Sequence, residues 1–351
     1  MSESPVRSIL MQCATRSGLA ETPCALCGEG TFAERLAASP FLMAPMAGVS
    51  DAAYRLMARV GGAPLAYSEM VSVTGIHYHS QKTWELVLPH EVEPNIAVQL
   101  FGSDPEHFVE AVYNVTQAVG DKLALIDINM ACPVPKVTKG GGGSALLDEP
   151  ELAARIVRAC VGATVVPVTV KIRRGRRMGE EVAPEFARYV ADAGAQAVAV
   201  HGRYANQMYR GEADWDVVAR VVQAVDVPVI GSGDVRGAED AVRMLRECGC
   251  AAVMLARGTY GNPWVFGQAQ HVLEGAAFVP PTANQRIEAF CEHVRLLEAT
   301  GAHMARGRSL AGWYLRGLPR AAYWRGLATS CVTLEDYLSL VDRLRAEVAC
   351  A

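Results

Sequence analysis

From Asp127 to Leu147 the chain reads Asp-Ile-Asn-Met-Ala-Cys-Pro-Val-Pro-Lys-Val-Thr-Lys-Gly-Gly-Gly-Gly-Ser-Ala-Leu-Leu. The apolar run Leu123 to Ile128 delivers Asn129 and Cys132 to the end of a strand. Pro133 and Pro135 stop the ladder there, because proline has no N–H to donate. Gly140 to Gly143 follow and let the backbone turn sharply or approach a ligand closely. A thiol at a strand mouth, beside an amide and a glycine loop, suits acid–base chemistry on a bound substrate. The competing reading is a buried cysteine followed by a flexible linker, since free cysteine is among the most buried residue types.

Other reactive side chains sit at the ends of apolar runs. Gln99 closes Val98 to Phe101, where an amide must find a backbone or ligand partner. Lys171 lies in Thr169-Val170-Lys171-Ile172 and is costly to bury unpaired, so it points to the rim or to an anion. His201 poses the same question in Ala199-Val200-His201-Gly202-Arg203. The turn Pro45-Met46-Ala47-Gly48-Val49-Ser50-Asp51 either caps a helix through Ser50 or Asp51 or meets a ligand.

The elements that must hold these residues have a clear rhythm from Phe41 onward. Predicted strands are Phe41–Ala47, Leu65–Val71, Asn95–Phe101, Leu123–Met130, Val166–Ile172, Ala197–His201, Val227–Gly231 and Ala251–Ala256. Between them fall helical segments such as Pro105–Val119, Pro150–Val161, Pro184–Ala193, Trp215–Val225 and Ala238–Cys248. Several close on glycine (Gly120, Gly162, Gly194, Gly249), as helix C-termini favour. Near-continuous apolar strands alternating with helices mean a parallel sheet covered on both faces. The pattern predicts an α/β fold, a (β/α)8 TIM barrel spanning residues 39–279, with an open doubly wound sheet as the alternative. Residues 1–38 read as a poorly patterned N-terminal extension. Residues 280–351 carry helical segments (Asn284–Ala299, Met304–Leu315, Leu334–Val348) and form a C-terminal helical domain.

In a barrel, the loops after strands seven and eight commonly seat a phosphate on backbone amides and a basic residue. Here they are Gly231-Ser232-Gly233-Asp234 and Ala256-Arg257-Gly258. A phosphate seat with a lysine and a histidine over the mouth suits flavin mononucleotide, whose reduced ring is anionic.

Ile128-Asn129-Met130-Ala131-Cys132-Pro133, with Lys136-Val137 and Gly143-Ser144-Ala145-Leu146, resembles the catalytic segment of the tRNA-dihydrouridine synthases (the Dus family), most closely the bacterial B-type branch. Ala131 stands where the family usually has glycine. Gly140 to Gly142 replace bulkier or basic residues, which implies a looser loop. The resemblance extends over roughly residues 41–345. It implies that Pro45, Met46 and Ala47 form the first flavin-contacting segment and that Gln99, Lys171 and His201 contact the ring. Ser232, Gly233, Asp234, Ala256 and Arg257 resemble the phosphate-binding turns, although the family more often has Asn at 232 and Gly at 256. Cys132 matches the catalytic cysteine and Asn129 the amide before it. Gly261 to Phe266 resembles a tryptophan-containing segment.

The resemblance further implies FMN as cofactor, NADPH as reductant and tRNA as substrate. Hydride would pass from the flavin to C6 of a uracil, and Cys132 would protonate C5 from the opposite face. A base buried in folded RNA must be swung out of its stack to reach such a site. No second dinucleotide fold is evident, so nicotinamide and uridine are expected to use one face of the flavin in turn.

Net charge of −4 excludes a protein coated in basic residues, so any nucleic-acid surface must be local. Ala299 to Leu334 contains no Asp or Glu but carries Arg306, Arg308, Arg316, Arg320 and Arg325, interleaved with Trp313, Tyr314, Tyr323 and Trp324. This block is read as the RNA clamp, with Arg306, Arg308 and Arg316 leading; Arg173, Arg174, Arg176 and Arg177, just past strand five, extend the track toward Cys132. The competing reading is a solvated helical face over an aromatic core.

No apolar run is long enough to span a membrane, and no signal-peptide pattern begins the sequence, so the cytoplasm is the expected location. Ten scattered cysteines read as reduced thiols. Cys24 and Cys27 have the spacing of half a zinc knuckle; Cys13 and a distant His could complete a site but nothing in the spacing says so, and no metal is expected. Two rival functions stay open: an FMN barrel oxidising or reducing a free small molecule, such as a dihydroorotate or dihydropyrimidine dehydrogenase, and an RNA-binding scaffold with a relict barrel. A dihydrouridine synthase acting on ribosomal RNA is a third variant.

Overall fold

A computed structural model describes residues 4–26 and 30–349. One parallel sheet dominates it, with strands β1 Phe41–Met43, β2 Tyr67–Ser72, β3 Ile96–Phe101, β4 Leu123–Met130, β5 Val168–Arg173, β6 Ala197–His201, β7 Val229–Ser232 and β8 Ala252–Leu255. Each strand from β2 to β8 pairs with its sequence neighbour, and β8 pairs back to β1 with Phe41 opposite Val253. Closure between β1 and β2 rests on a bridge from Met43 to Ala66, where the Met43 N–H donates to Leu65 O at 3.0 Å. This is the expected (β/α)8 barrel. β1 is shorter than predicted because the chain peels away at Ala44-Pro45, and Met46 N–H turns to Ser50 Oγ at 2.8 Å.

Side chains alternate across a strand, so every second residue points into the barrel. Ile126, Ile128 and Met130 of β4 and Val168, Val170 and Ile172 of β5 pack outward in the main core with the surrounding helices. The opposite parity changes character along each strand. At the N-terminal side it is apolar, with Ala97, Leu125, Ala197, Ala199, Ile230 and Ala252 forming a second, inner cluster. At the C-terminal side the same rows become Gln99, Asp127 and Asn129, Lys171 and Arg173, His201 and Ser232. The apolar half fills the barrel, and the polar half builds its mouth.

The described residues 4–26 and 30–38 hold two helices, more structure than the poorly patterned extension expected. Thr31 and Glu34 form a reciprocal capping box that starts the helix Phe32–Ala38. Leu26, Phe32 and Leu36 join the inner cluster and plug the barrel floor. Burying each large side chain contributes about 1.5–3 kcal/mol. The helix Pro5–Ser17 buries Val6, Leu10 and Cys13 in the main core against the helix Ala283–Ala299. Arg16 Nη1 bonds Glu292 across that contact at 3.2 Å.

The C-terminal helical region comprises Ala283–Ala299, Arg306–Tyr314, Ala321–Ala328 and Leu334–Ala349. The helix Ala321–Ala328 is absent from the sequence reading. It is short, follows Pro319 and starts from Arg320 in the left-handed region at φ 51°, which hides its periodicity. Among the described residues, no helix is long and apolar enough to cross a membrane.

Candidate functional site

A cavity of about 930 Å³ opens at the C-terminal ends of the strands. Cys132 and every expected barrel contact line it: Pro45, Met46, Ala47, Gln99, Asn129, Lys171, His201, Ser232, Gly233, Asp234, Ala256 and Arg257. Arg173 and Arg316 also reach it, whereas Arg174, Arg306 and Arg308 do not.

Beneath the mouth runs a directed chain of hydrogen bonds. Buried Asp127 accepts from Thr169 Oγ1 at 2.6 Å and from Gln99 Nε2 at 2.7 Å. Gln99 Oε1 therefore faces Asn129 Nδ2, which donates to it at 2.8 Å. Asn129 Oδ1 then accepts the backbone N–H groups of Ala131 at 3.0 Å and Cys132 at 2.8 Å. The amide before the cysteine thus shapes the turn that presents the thiol. The glycine loop is closed down rather than loose. Ser144 N–H donates to Cys132 O at 2.9 Å, and Gly143 has φ +59° where an added Cβ would lie 2.6 Å from that oxygen.

Electrostatics assign protonation states. Burial pushes the Cys132 thiol up, only partly opposed by a hydrogen bond from Val134 and the charges of Arg173 and Lys171. The sulfur is a thiol at neutral pH and can donate a proton. Burial, helped by Arg173, pulls Lys171 down to about 8. Its Nζ bonds no acceptor among the described residues, and Lys171 lines the cavity, where an anionic group could meet it. Burial first, then Lys171, Arg173, Arg203 and Arg257, holds His201 well below the usual range. Its Nδ1 accepts from Arg203 N–H at 3.2 Å, which leaves Nε2 as the protonated donor.

At the other end of the cavity, β7 and β8 supply the turns. Asp234 takes a bidentate bond from Arg203 at 2.8 and 2.7 Å and one from Arg257 at 3.0 Å. This carboxylate orients two arginines, a different task from touching an anion itself. The backbone N–H groups of Gly233, Asp234 and Val235 donate to no acceptor among the described residues. An added Cβ on Gly258 would sit 2.6 Å from Val235 O, so only glycine lets the two turns close together. Unspent amides beside oriented guanidinium groups make an anion seat.

The expected RNA track is redrawn. Arg173 is buried and donates to Ala131 O at 2.9 Å and Tyr204 O at 3.1 Å, so it braces the cysteine turn from inside. Arg174 is held by Glu181 at 2.7 Å and Asp214 at 2.8 Å, and Arg176 and Arg177 are held by Asp148. Arg306 is paired with Asp51 and Glu69 of the barrel. Carboxylates already match the charges of Arg174, Arg176, Arg177 and Arg306. Arg308 donates to Cys331 O at 3.3 Å, and Arg316 stands at the cavity rim.

The barrel and the helical region meet at that rim. Tyr260 stacks on Trp313 at 4.0 Å, and an added Cβ at Gly261 would press to 2.6 Å of the Trp313 backbone. Sequence reading missed Asp127, Arg203, Tyr209 and Tyr260 as parts of the site. Asp127 and Arg203 share the inward parity of Asn129 and His201, a signal present in the amino-acid order. Among the described residues no three His, Cys, Asp or Glu gather as a metal site, and Cys27 lies outside them.

Known proteins share this chain's sequence over most of its length. The family described as Dihydrouridine synthase (Dus) matches residues 42–349. The chain belongs to the dihydrouridine synthase family. Its relatives include tRNA-dihydrouridine synthase B of Xanthomonas campestris pv. campestris, 38% identical over 307 residues that cover 85% of this chain and 90% of the relative. Probable tRNA-dihydrouridine synthase 1 of Synechocystis sp. is 38% identical over 312 residues, 87% of this chain and 86% of the relative. tRNA-dihydrouridine synthase B of Vibrio vulnificus is 37% identical over 291 residues, 81% of this chain and 88% of the relative. These similarities place the chain on the bacterial B-type side of the family. Membership makes it an oxidoreductase of a flavin-using family.

Proposed function

We propose that this protein reduces a uridine of tRNA to 5,6-dihydrouridine in the cytoplasm, with FMN held in the barrel mouth, NADPH as reductant and Cys132 as the proton donor to C5. The observation that carries the reading is the Asp127–Gln99–Asn129 chain ending on a protonated Cys132 that shares a cavity with Lys171 and His201. The names of the relatives support tRNA over ribosomal RNA and over a free small molecule.

The residues fit such a cofactor. A cavity of this size lies within the range of small-ligand sites, roughly 300–1,000 Å³. The amides of Gly233 to Val235, with Arg203 and Arg257, would take the phosphate; Lys171 Nζ and His201 Nε2–H would face the polar edge of the ring, and Pro45 to Ala47 would border it. When bound, the flavin supplies hydride to C6 of the uracil. Cys132 supplies the proton for C5, and its raised pKa keeps that proton in place until it is needed. The barrel, about residues 39–279, would be the catalytic domain and residues 280–351 the RNA-binding one. Arg308, Arg316 and Arg325 would hold phosphates there while the barrel takes one flipped base.

The test is nucleoside mass spectrometry of tRNA from a strain that makes no dihydrouridine, carrying this gene. Dihydrouridine in the tRNA fraction supports the reading. A yellow protein that oxidises NADPH and leaves tRNA and ribosomal RNA unchanged would instead mark a small-molecule oxidoreductase.

A further inference from the structure

Arg306 begins the helix Arg306–Tyr314, yet its side chain leaves the helical region for the barrel. Nη1 donates to Asp51 Oδ2 at 2.7 Å and Nη2 donates to Glu69 Oε1 at 2.9 Å. Both carboxylates are well covered, 13% and 11% exposed.

They flank the turn Met46–Asp51, which borders the cavity. Glu69 Oε2 accepts the N–H of Gly48 at 2.6 Å, and Gly48 sits in the left-handed region at φ +75°. Asp51 Oδ1 accepts Tyr54 N–H at 2.8 Å and caps the helix Ala52–Val60. Within the turn, Ser50 Oγ accepts Met46 N–H, and Ser50 O accepts from Arg55 at 2.8 Å. Arg55 is the other cation nearby, and it is already matched by a two-pronged bond to Glu93 at 2.8 and 2.6 Å. Val49 and Ser50 N–H close the turn from within on Met46 O, both at 3.0 Å; Gly48 N–H is the point held from outside, by Glu69, whose charge Arg306 matches from the helical region.

Removing one partner of a covered ion pair leaves an uncompensated charge, and that is the costly state. Two carboxylates facing each other without Arg306 would relax by turning Glu69 away, and the Gly48 N–H would lose its acceptor. We propose that Arg306 is a positioning residue through which the helical region sets the shape of the Met46–Gly48 turn, so that seating of the RNA-holding region and retention of the cofactor are coupled. This rests on the flavin reading above. Such coupling is reciprocal: RNA that presses the helical region onto the barrel tightens cofactor binding by the factor with which the cofactor tightens RNA binding.

The test measures FMN affinity, from the quenching of its fluorescence, and tRNA affinity at several salt concentrations. The variants are Arg306→Met, Arg306→Lys, Glu69→Ala and the triple Arg306→Met with Asp51→Asn and Glu69→Gln. Arg306→Met is expected to lose FMN affinity by at least about fivefold. The triple is expected to regain most of it, because neutral Asn and Gln no longer need a counter-charge while Gln still offers an oxygen to Gly48. Arg306→Met with wild-type FMN affinity overturns the proposal, as does a triple with no recovery. Weakened tRNA binding with a flatter salt dependence and intact FMN affinity would make Arg306 a phosphate ligand instead. Should Arg306→Met fail to fold, Glu69→Ala decides, because it removes the acceptor of the Gly48 N–H outright, whereas Arg306→Lys keeps the charge and is expected to lose less than Arg306→Met: unchanged FMN affinity in Glu69→Ala overturns the proposal. Wild-type protein that binds no FMN would sink the underlying flavin reading, a result separate from all of these.

Discussion

Gln99 donates through Nε2 to Asp127 Oδ2 at 2.7 Å, and that bond sets the direction of every amide above it. With Nε2 committed downward, Gln99 can only accept from Asn129, and Asn129 can only accept from the cysteine turn. A carboxylate two residues before Asn129 thus acts on the turn without touching it.

Asp127→Ala should therefore destabilise the fold as well as the site. It leaves Gln99 Nε2 and Thr169 Oγ1 buried without their acceptor, each worth about 1–3 kcal/mol. The midpoint of urea unfolding should fall accordingly. An unchanged midpoint would mean that water replaces the carboxylate.

Cys132→Ala should keep flavin binding and flavin reduction by NADPH, yet lose uridine reduction by about 10²–10⁴-fold, the usual worth of a positioned general acid. In the wild-type protein a single round of tRNA reduction should be flat across neutral pH. The decline set by Cys132 should come only above the ordinary thiol range, because burial raises its pKa and the acid form is the active one; a separate change near pH 8 would report Lys171. A decline beginning below neutrality would assign the proton to another group.

His293 offers a pH test of stability. It is buried against Tyr314, with Nδ1 3.1 Å from the hydroxyl and Nε2 without a partner among the described residues, and burial pulls its pKa to about 3. An unfolded histidine titrates near 6.5, so below that the unfolded chain binds the proton that the folded one refuses. Stability contributed by neutral His293 is full above about pH 6.5 and drains away as pH falls toward 3. Between about pH 7 and pH 5 the loss is about 2 kcal/mol. His293→Gln should flatten that part of the curve, read as unfolding midpoints at the two pH values.

Replacing Arg308, Arg316 and Arg325 together by Ala should weaken tRNA binding while flavin content stays normal. The log–log salt slope should shrink by roughly 0.7–0.9 for each phosphate that an arginine no longer neutralises. Wild-type affinity with an unchanged slope would move the clamp elsewhere.

Much of the fold and site is legible in the amino-acid order because a barrel translates sequence parity into space. Gln99, Asn129, Lys171 and His201 interrupt apolar runs near strand ends, and parallel closure brings all such interruptions to one mouth. Arg306 is illegible for the opposite reason. Its partners lie 255 and 237 residues away, and an arginine in an acid-free block looks alike whether it meets phosphate or a distant carboxylate. The tied-down glycine loop escapes a reading from composition, which registers only that four glycines can flex. Backbone bonds such as Ser144 to Cys132 decide it instead.

The helix Pro5–Ser17 has its partner in Ala283–Ala299, at the far side of the barrel sequence. During synthesis the first helix leaves the ribosome long before that partner is made. At roughly 5–20 residues per second the wait lasts about a quarter of a minute to a minute. Until then the helix has its nearer neighbour Ala52–Val60, where Cys13 Sγ meets Met57 Sδ at 3.8 Å, and the face that packs on Ala283–Ala299 stays uncovered. The barrel strands can close meanwhile, since each pairs with the next to emerge. The helix Pro5–Ser17 is thus among the first elements to be made and among the last to be fully covered.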